Sequence, residues 1–304
     1  MELHDIKNIL ILGSSTLGLR VGLAAAINGY KVVIYDVNKT SFIQAKKTQE
    51  TIMYMLVTEQ RLDKNRVEEI KAAISWTTDP AIAAANADLV NESVTENIDI
   101  KKEVWKQFGE LCPAHTLFTT NTSYLLPSMF ADITGRPDRF CALHFHDVFY
   151  ANVVDVMPHP TTVPWMIPLL ADFGKSLGQT PVIMKKESPG YIFNSMLMAL
   201  LGAAGALVTY DISDIENVDR SWMGNFKMPK GPFGIMDEIG LETAWHVVKN
   251  FTDAKSVKFT QLLEGYVKQG KLGKKNRRRI LYLPKPFLSK RRVFERVEIF
   301  LLIA

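Results

Sequence analysis

The sequence predicts an α/β domain at the N-terminus, followed by an all-α domain. Three observations lead to this fold class. Short apolar runs alternate with helical patterns up to about residue 184, and a glycine-rich turn joins the first run to the first helix. From residue 190 onward the apolar pattern is helical. We therefore predict two domains of ordinary size, residues 1–186 and residues 187–304.

The first 36 residues form a recognisable unit. An apolar run at residues 7–12 leads directly into the turn GSSTLG at residues 13–18. A helix of small residues follows, and a second apolar run at residues 30–35 ends just before Asp36. Strand, glycine turn, helix, strand and acid in this order are typical of dinucleotide-binding units. The N-terminal domain is therefore predicted to be a Rossmann-type dinucleotide-binding domain.

Each position of this turn has a physical reason. Gly13 permits the tight turn, and Gly18 lets the helix pack on the strand. The helix N-terminus offers N–H groups and a positive dipole end to a pyrophosphate. Asp36 is expected to bind the adenine ribose and to favour NAD over NADP, because a carboxylate repels a 2′-phosphate. The predicted cofactor-binding positions here are Gly13, Ser15, Thr16, Leu17, Gly18 and Asp36.

Ser15 departs from the usual glycine at the middle of this fingerprint. Its Cβ and hydroxyl occupy the position where the backbone approaches the pyrophosphate. Two interpretations stay open: the serine is tolerated with weaker cofactor binding, or its hydroxyl bonds to a phosphate.

Polar groups follow one another along residues 119–157, at the ends of apolar runs that we predict to be buried strands. The runs are residues 116–120, 140–145 and 153–157. Ser123, His144 and Asp155 are then expected at the crevice where an open α/β sheet binds ligands. A histidine beside a carboxylate is the usual proton-transfer pair. The alternative is that His144 and Asp155 are partly buried and only satisfy each other.

His144 and His146 are two residues apart and face the same side of a strand, as a pair of metal ligands would. No third ligand is apparent in the sequence, so we predict no metal site.

Composition limits the classes of protein. The two cysteines, Cys112 and Cys141, and the lack of a secretory h-region at the N-terminus favour a reducing cytoplasm over a disulfide framework. The longest apolar stretch, residues 196–208, is too short to span a bilayer, so we predict a buried helix and no membrane partner.

The net charge of +4 is unevenly distributed. Residues 271–304 carry 11 Lys and Arg against 2 Asp and Glu, a charge of +9, which leaves −5 for the first 270 residues. A nucleic-acid interpretation would depend on this short tail alone, and we predict no nucleic-acid partner.

Five short motifs stand in order along the chain. They are residues 88–97 (DLVNESVTEN), 121–123 (NTS), 136–145 (RPDRFCALHF), 188–194 (SPGYIFN) and 230–237 (KGPFGIMD). They resemble the DLVxExxxEN, NTSS, RPxRFxGxHFFNP, TPGFIVNR and MGPFELxD motifs of the 3-hydroxyacyl-CoA dehydrogenases. The resemblance runs from about residue 6 to about residue 274. Five motifs in register are very specific for the family and less so for the substrate.

The resemblance implies an NAD-dependent oxidoreductase of fatty acid metabolism that interconverts a 3-hydroxyacyl-CoA and a 3-ketoacyl-CoA. Short chains, such as 3-hydroxybutyryl-CoA, are expected. His144 matches the catalytic base and Asp155 the carboxylate that orients it, whereas Ser123 and Asn194 match groups that hold the substrate's 3-oxygen. The positions implied on the cofactor side are Glu96, Lys101 and Asn121. The helical domain resembles a dimerisation unit, with the site in the cleft between the domains, so a homodimer is expected.

Three departures bear on the substrate. The carboxylate of the family is usually that of a Glu, whereas here it belongs to Asp155, whose side chain is one methylene shorter. The loop from His144 to Asp155 also looks one residue shorter than usual, so the shorter loop compensates for the shorter side chain. His146 and Asp147 stand where the family commonly has Phe-Asn, which makes residues 148–152 atypical. A dehydrogenase of a free 3-hydroxy acid, such as a sugar acid or carnitine, and a non-catalytic NAD-binding homologue therefore remain alternatives.

The tail from about residue 275 is also atypical. The family commonly ends with GKxGxKTGxGFYxY, whereas residues 270–283 read GKLGKKNRRRILYL. A codon string for KTGEGFYTY, read after one inserted A, gives KNRRGILYL, which is nearly this tail. We favour a single-base insertion near Lys275 over a genuine basic motif for nucleic acid, membrane or nuclear import. Sequencing independent isolates around this codon decides between them.

Overall fold

The computed structural model describes residues 1–249, 253–273 and 280. The chain divides into two compact units, Met1–Phe193 and Asn194–Ala304. The boundary that we predict after residue 186 lies shortly before this division. The atypical tail from about residue 275, and with it the insertion hypothesis, lies outside the described residues apart from Ile280.

The first unit contains one eight-stranded sheet. Its strands are β1 (Asn8–Leu12), β2 (Lys31–Tyr35), β3 (Ile74–Thr77), β4 (Leu89–Glu92), β5 (Leu117–Thr120), β6 (Phe140–Asp147), β7 (Ala151–Met157) and β8 (Thr180–Ile183). Their order is β3-β2-β1-β4-β5-β6-β7-β8, and every neighbouring pair is parallel except β6 and β7. The predicted α/β class with a Rossmann-type first domain is confirmed.

Six α-helices belong to this unit. They are α1 (Thr16–Ile27), α2 (Ser41–Thr58), α3 (Val67–Ala72), α4 (Pro80–Ala84), α5 (Ile98–Leu111) and α6 (Met166–Ser176). One apolar cluster joins the sheet to α1, α2 and α6, and a second joins it to α4 and α5. Strands β4 and β5 are buried at every position, as expected for parallel strands between two layers of helices.

The β6–β7 pair corrects one expectation. His144 and Asp155 do not lie at strand ends, because both strands continue past them into an antiparallel hairpin. His144 stands directly opposite Asp155 in the register. The register is irregular between Phe145 and Asp147, which places His146 at this irregularity.

The second unit is helical over its described residues. Its helices are α7 (Tyr191–Thr209), which begins just before the division, α8 (Ile215–Phe226), α9 (Pro232–Ile239), α10 (Leu241–Val248) and α11 (Ala254–Lys268). Leu201, Phe233, Met236 and Phe259 are among its buried core side chains. The buried carboxylate of Asp219 accepts hydrogen bonds from the backbone N–H groups of Phe233 and Gly234 at 2.8 Å, which caps α9.

The prediction that α7 is a buried helix is wrong for this chain. Only 17% of its apolar window is buried, and Met196 is 62% exposed. The expectation that this stretch is too short to span a bilayer is also wrong: among the described residues, α7 is the single helix that is long and apolar enough to cross a membrane, which is weak support for a span. Apolar composition predicts that a surface is covered, but not by what.

Candidate active site

The glycine-rich turn has the backbone that a dinucleotide site requires. Gly13 has a φ of 100°, and a Cβ there would lie 2.7 Å from the carbonyl oxygen of Ser93. A Cβ on Gly18 would lie 2.1 Å from the carbonyl oxygen of Gly13. Larger side chains would therefore open the turn between β1 and α1.

Ser15 fits this turn without a glycine, because its φ of −64° is accessible to any residue. Its hydroxyl donates to the carbonyl oxygen of Ser93 at 2.9 Å. The side chain does not cap α1, so the N-terminal N–H groups of Thr16 and Leu17 donate no hydrogen bond to it. These groups and the approach permitted by Gly13 fit the pyrophosphate of NAD.

Asp36 follows β2 at the same edge of the sheet. Its Oδ2 accepts hydrogen bonds from the backbone N–H of Ser14 at 2.9 Å and from the Ser14 hydroxyl at 2.6 Å. Its Oδ1 accepts from the backbone N–H of Asn38 at 3.0 Å. The carboxylate is thereby held beside the glycine-rich turn, where an adenine ribose would reach it.

We expect NADH to bind at least about tenfold more tightly than NADPH, a difference of about 1.4 kcal/mol. The reason is the repulsion between the fixed Asp36 carboxylate and a 2′-phosphate. Fluorescence titration of both cofactors measures the two dissociation constants, and Asp36→Asn should narrow their ratio. Equal affinities in the unmodified protein would show that Asp36 does not face the ribose.

Ser123, His144 and Asp155 form one hydrogen-bonded line. The Nδ1 atom of His144 lies 3.1 Å from Oδ2 of Asp155, and its Nε2 atom lies 3.3 Å from Oγ of Ser123. His144 and Asp155 are buried, whereas Ser123 is exposed on the loop after β5. With Nδ1 protonated and donating to the carboxylate, Nε2 is the atom that meets a substrate.

For each of these two groups, burial and the hydrogen bond between them shift the pKa in opposite directions. Burial lowers the pKa of His144 below its ordinary value, while the hydrogen bond and charge of Asp155 act in the other direction. Burial works to raise the pKa of Asp155, but the hydrogen bonds from His144 and His146 outweigh it and hold this pKa below its ordinary value. Asp155 is therefore an ionised acceptor beside a neutral imidazole at pH 7.

Tyr191 is a site residue that sequence analysis missed. Its ring stacks on His144 with 4.5 Å between centroids and 21° between planes. Its hydroxyl donates to the carbonyl oxygen of Thr122 at 2.8 Å, and burial raises its pKa well above the ordinary value, which keeps the phenol neutral. The signal was present in the motif at residues 188–194, where an aromatic residue follows Gly190.

Glu96 holds the loop that carries Ser123. Its carboxylate accepts hydrogen bonds from the Thr122 hydroxyl and from the backbone N–H of Tyr124, which flank Ser123 on both sides. These bonds position the Ser123 hydroxyl, and the predicted cofactor contact of Glu96 stays a prediction.

Lys101 was also predicted to line the cofactor pocket, but its side chain is only 1% exposed. Its Nζ lies 2.6 Å from Oε1 of Glu92 and 3.3 Å from Oε2 of Glu96. Glu92 is fully buried, and burial raises its pKa, an effect that the charge of Lys101 opposes. We therefore interpret Lys101 as a buried counter-ion that fixes Glu96, because its ammonium group is enclosed by protein groups.

Asn121 is likewise engaged by the protein. Its Oδ1 accepts from the backbone N–H of Phe145 at 2.7 Å, and its Nδ2 donates to the Ser93 hydroxyl at 3.1 Å. The side chain ties β6 to the end of β4. Its predicted cofactor contact stays a prediction, as does the role of Asn194, which begins the second unit.

His146 shares the carboxylate of the line. Its Nε2 lies 2.8 Å from Oδ2 of Asp155, the same oxygen that His144 contacts. The argument that no third ligand accompanies the two histidines is therefore wrong, since ligand atoms of all three residues lie within 4.8 Å of one another. One carboxylate oxygen satisfies both rings without a metal, and the prediction of no metal stays a prediction.

Known families match both parts of the chain. The family model described as 3-hydroxyacyl-CoA dehydrogenase, NAD binding domain, matches residues 8–188, and the C-terminal domain model of the same family matches residues 190–282. The mitochondrial hydroxyacyl-coenzyme A dehydrogenase of Sus scrofa is 30% identical over 280 residues, which is 89% of each chain.

Two solved structures are similar over most of the chain. A diketoreductase is 37% identical with a TM-score of 0.85, and the match covers 89% of this chain and 96% of the diketoreductase. The (S)-3-hydroxybutyryl-CoA dehydrogenase of Ralstonia eutropha is 26% identical with a TM-score of 0.81, covering 92% and 100% of the two chains. With the glycine-rich turn and the Ser123–His144–Asp155 line, these matches show that the chain belongs to the NAD-dependent 3-hydroxyacyl-CoA dehydrogenase family.

Proposed function

We propose that this protein reversibly oxidises the 3-hydroxyl group of a short-chain 3-hydroxyacyl-CoA, such as 3-hydroxybutyryl-CoA, to the 3-keto group. The observation that supports this best is the line from Ser123 through His144 to Asp155. One oxygen that lies beside both the Ser123 hydroxyl and His144 Nε2, within hydrogen-bonding distance of each, would contact both a hydrogen-bond donor and a base. That oxygen corresponds to the 3-oxygen of the substrate.

The chemistry of the residues follows from this arrangement. In the oxidation, neutral His144 takes the hydroxyl proton on Nε2, and Asp155 stabilises the imidazolium through Nδ1. In the reduction, the imidazolium returns that proton to the ketone oxygen. NAD, when bound, accepts or donates the hydride. We propose that Asn194 holds the same 3-oxygen, as its motif implies.

A second substrate class has a specific observation in its favour. The diketoreductase is more similar in sequence to this chain than the CoA-dependent relatives described above. The loop of residues 148–150, which joins β6 to β7 and is atypical for the family, is held by Arg61, whose guanidinium donates to the carbonyl oxygen of Phe149 at 2.8 Å. Because of the similarity to the diketoreductase, a free 3-hydroxy acid or a dicarbonyl compound is the alternative substrate.

NADH oxidation separates these possibilities. Acetoacetyl-CoA, free acetoacetate and a CoA-free dicarbonyl ester are offered at equal concentration. A kcat/KM at least about tenfold higher for the thioester supports the proposal. Preference for a CoA-free substrate would replace the CoA proposal by the alternative, and NADH binding without turnover of any of the three would indicate a non-catalytic homologue.

Asp155→Asn should move both pH profiles toward lower pH. The substitution removes the charge that raises the pKa of His144, so burial lowers that pKa further. Oxidation requires neutral His144, so its rate should persist to lower pH in the variant. Reduction requires the imidazolium, so its rate should begin to fall at a lower pH than in the parent protein. Initial rates in both directions between pH 5 and pH 9 measure the limbs, and an upward movement of either limb would contradict the assignment.

We also propose a homodimer, supported by the apolar side chains that α7 exposes in the single chain. Met196→Glu should lower the dimer fraction seen by sedimentation velocity, because it introduces a charge into that face. Lys175→Glu, an exposed change on α6, is the control. An unaltered dimer fraction in Met196→Glu would exclude this face as the interface.

A further inference from the structure

The position of His146 is not explained by the proposed reaction. Its side chain is 12% exposed, and its Nε2 contacts Oδ2 of Asp155 at 2.8 Å, closer than the 3.1 Å contact of His144. The imidazole rings of His144 and His146 meet edge to face with 4.8 Å between centroids. The Phe193 ring packs edge to face on His146 with 5.3 Å between centroids. The His146 ring is therefore held on three sides.

We propose that His146 is a positioning residue: through the shared Oδ2 of Asp155, it anchors this carboxylate on His144 and moderates the pull of the carboxylate on the His144 proton. The inference deepens the proposed function and rests on it for the role of His144. It accounts for the histidine found where the resembling family commonly has phenylalanine.

The geometry carries the first part of the inference. Asp155 is one methylene shorter than the glutamate of the resembling family, and its contact with His144, at 3.1 Å, is longer than its contact with His146, at 2.8 Å. A carboxylate held by one donor can rotate about its terminal bond, whereas two donors on one oxygen restrict it. His146 approaches from the same strand as His144, two residues farther along β6.

The charges carry the second part. The charged or titratable groups that act on His144 are Asp155 on β7, His146 on β6 and Glu96 before α5. Asp155 also faces the phenol of Tyr191, which stays neutral. Donation from a second imidazole reduces the electron density that Asp155 offers to His144, so His144 holds its proton less tightly than it would beside an unshared carboxylate.

The test titrates the His144 ring by NMR in the NADH-bound protein, without substrate, so its result does not depend on which substrate is correct. The absence of the signal in His144→Gln assigns it. We expect His146→Leu to raise the pKa of His144 by about half a pH unit or more, opposite to Asp155→Asn. His146→Gln places an amide N–H near the former Nε2 and should return the pKa most of the way.

A matched control removes another histidine–carboxylate pair from the same unit. His115 contacts Oδ1 of Asp88 at 3.0 Å at the opposite edge of the sheet, and His115→Leu should leave the pKa of His144 unchanged.

The kinetic readout is the pH limb of kcat, with KM for NADH as reference. His146→Leu should lower kcat about tenfold or more, because the His144 ring is misplaced. It should also shift the pH limb of kcat to higher pH and leave KM for NADH within a few-fold. A lower kcat with an unmoved pKa would reduce His146 to a packing role and overturn the inference, as would a fall in the pKa. If His146→Leu does not fold, failure of His146→Gln to retain the wild-type pKa overturns it equally. Absence of turnover in every variant and in the parent would refute the proposed function instead.

Discussion

His144→Gln should lower kcat by about 10²–10⁴-fold, the usual cost of a lost general base. Glutamine fills a similar volume but cannot carry the proton between substrate and solvent. NADH affinity should stay within a few-fold, because His144 is not among the predicted cofactor-binding positions, which include the glycine-rich turn and Asp36. Stopped-flow measurement of turnover and fluorescence titration of NADH give the two quantities.

The neighbouring histidine supplies the matched comparison. His146→Gln keeps a donor to Asp155 and should be far less damaging than His144→Gln. Near-normal turnover in His144→Gln, or greater damage in His146→Gln, would show that the proton-transfer residue is misassigned. Asp147, which follows His146 in the sequence, does not offer a replacement for Asp155, because its carboxylate forms an ion pair with Arg20.

Lys101→Met should lower the free energy of unfolding by about 3–5 kcal/mol, because it leaves the buried Glu92 carboxylate without its counter-ion. The loss should grow as pH rises. Burial raises the pKa of Glu92 in the folded state, so the variant folds with this group protonated at low pH. The deficit is smallest below the pKa of an unfolded glutamate, about 4.3, and increases through the raised folded value. Urea denaturation between pH 4 and pH 8 measures it.

Two further variants isolate the buried pair. The double variant Glu92→Gln, Lys101→Met should recover much of the stability, because the remaining amide carries no charge and still accepts a hydrogen bond. Lys175→Met, which removes an exposed pair with Asp172, should cost far less. A loss in Lys101→Met no larger than in Lys175→Met would show that Lys101 is not the counter-ion of Glu92.

The local demands of the backbone made the nucleotide-binding half predictable. Gly13 requires a positive φ, and Gly18 lies where a Cβ would strike the Gly13 carbonyl. Such requirements restrict residue type within a few positions of the chain, so they are visible in the sequence. The alternation of apolar runs and helices predicted the α/β class for the same reason, and the comparisons confirm both the family and its NAD-binding domain.

The orientation of individual side chains was not predictable in the same way. The motif did not show that the ammonium group of Lys101 pairs with the carboxylates of Glu92 and Glu96, and its predicted cofactor contact stays a prediction. Tyr191 covers His144 although 47 positions separate them in the sequence. An apolar helix was expected to be buried, but only 17% of the apolar window of α7 is buried in the single chain. Each case depends on which partner is available in space.

By itself, the sequence determined the fold class, the glycine-rich turn with Asp36, and the pairing of His144 with Asp155 as a candidate proton-transfer pair. These depend on periodicity and on steric limits that act over short segments. Only the tertiary structure decided that β6 and β7 form an antiparallel hairpin, with His144 opposite Asp155 and His146 on the same carboxylate oxygen. The register of a hairpin depends on the geometry of its turn and shifts at an irregularity such as the one between Phe145 and Asp147, which the apolar pattern of the two runs does not reveal.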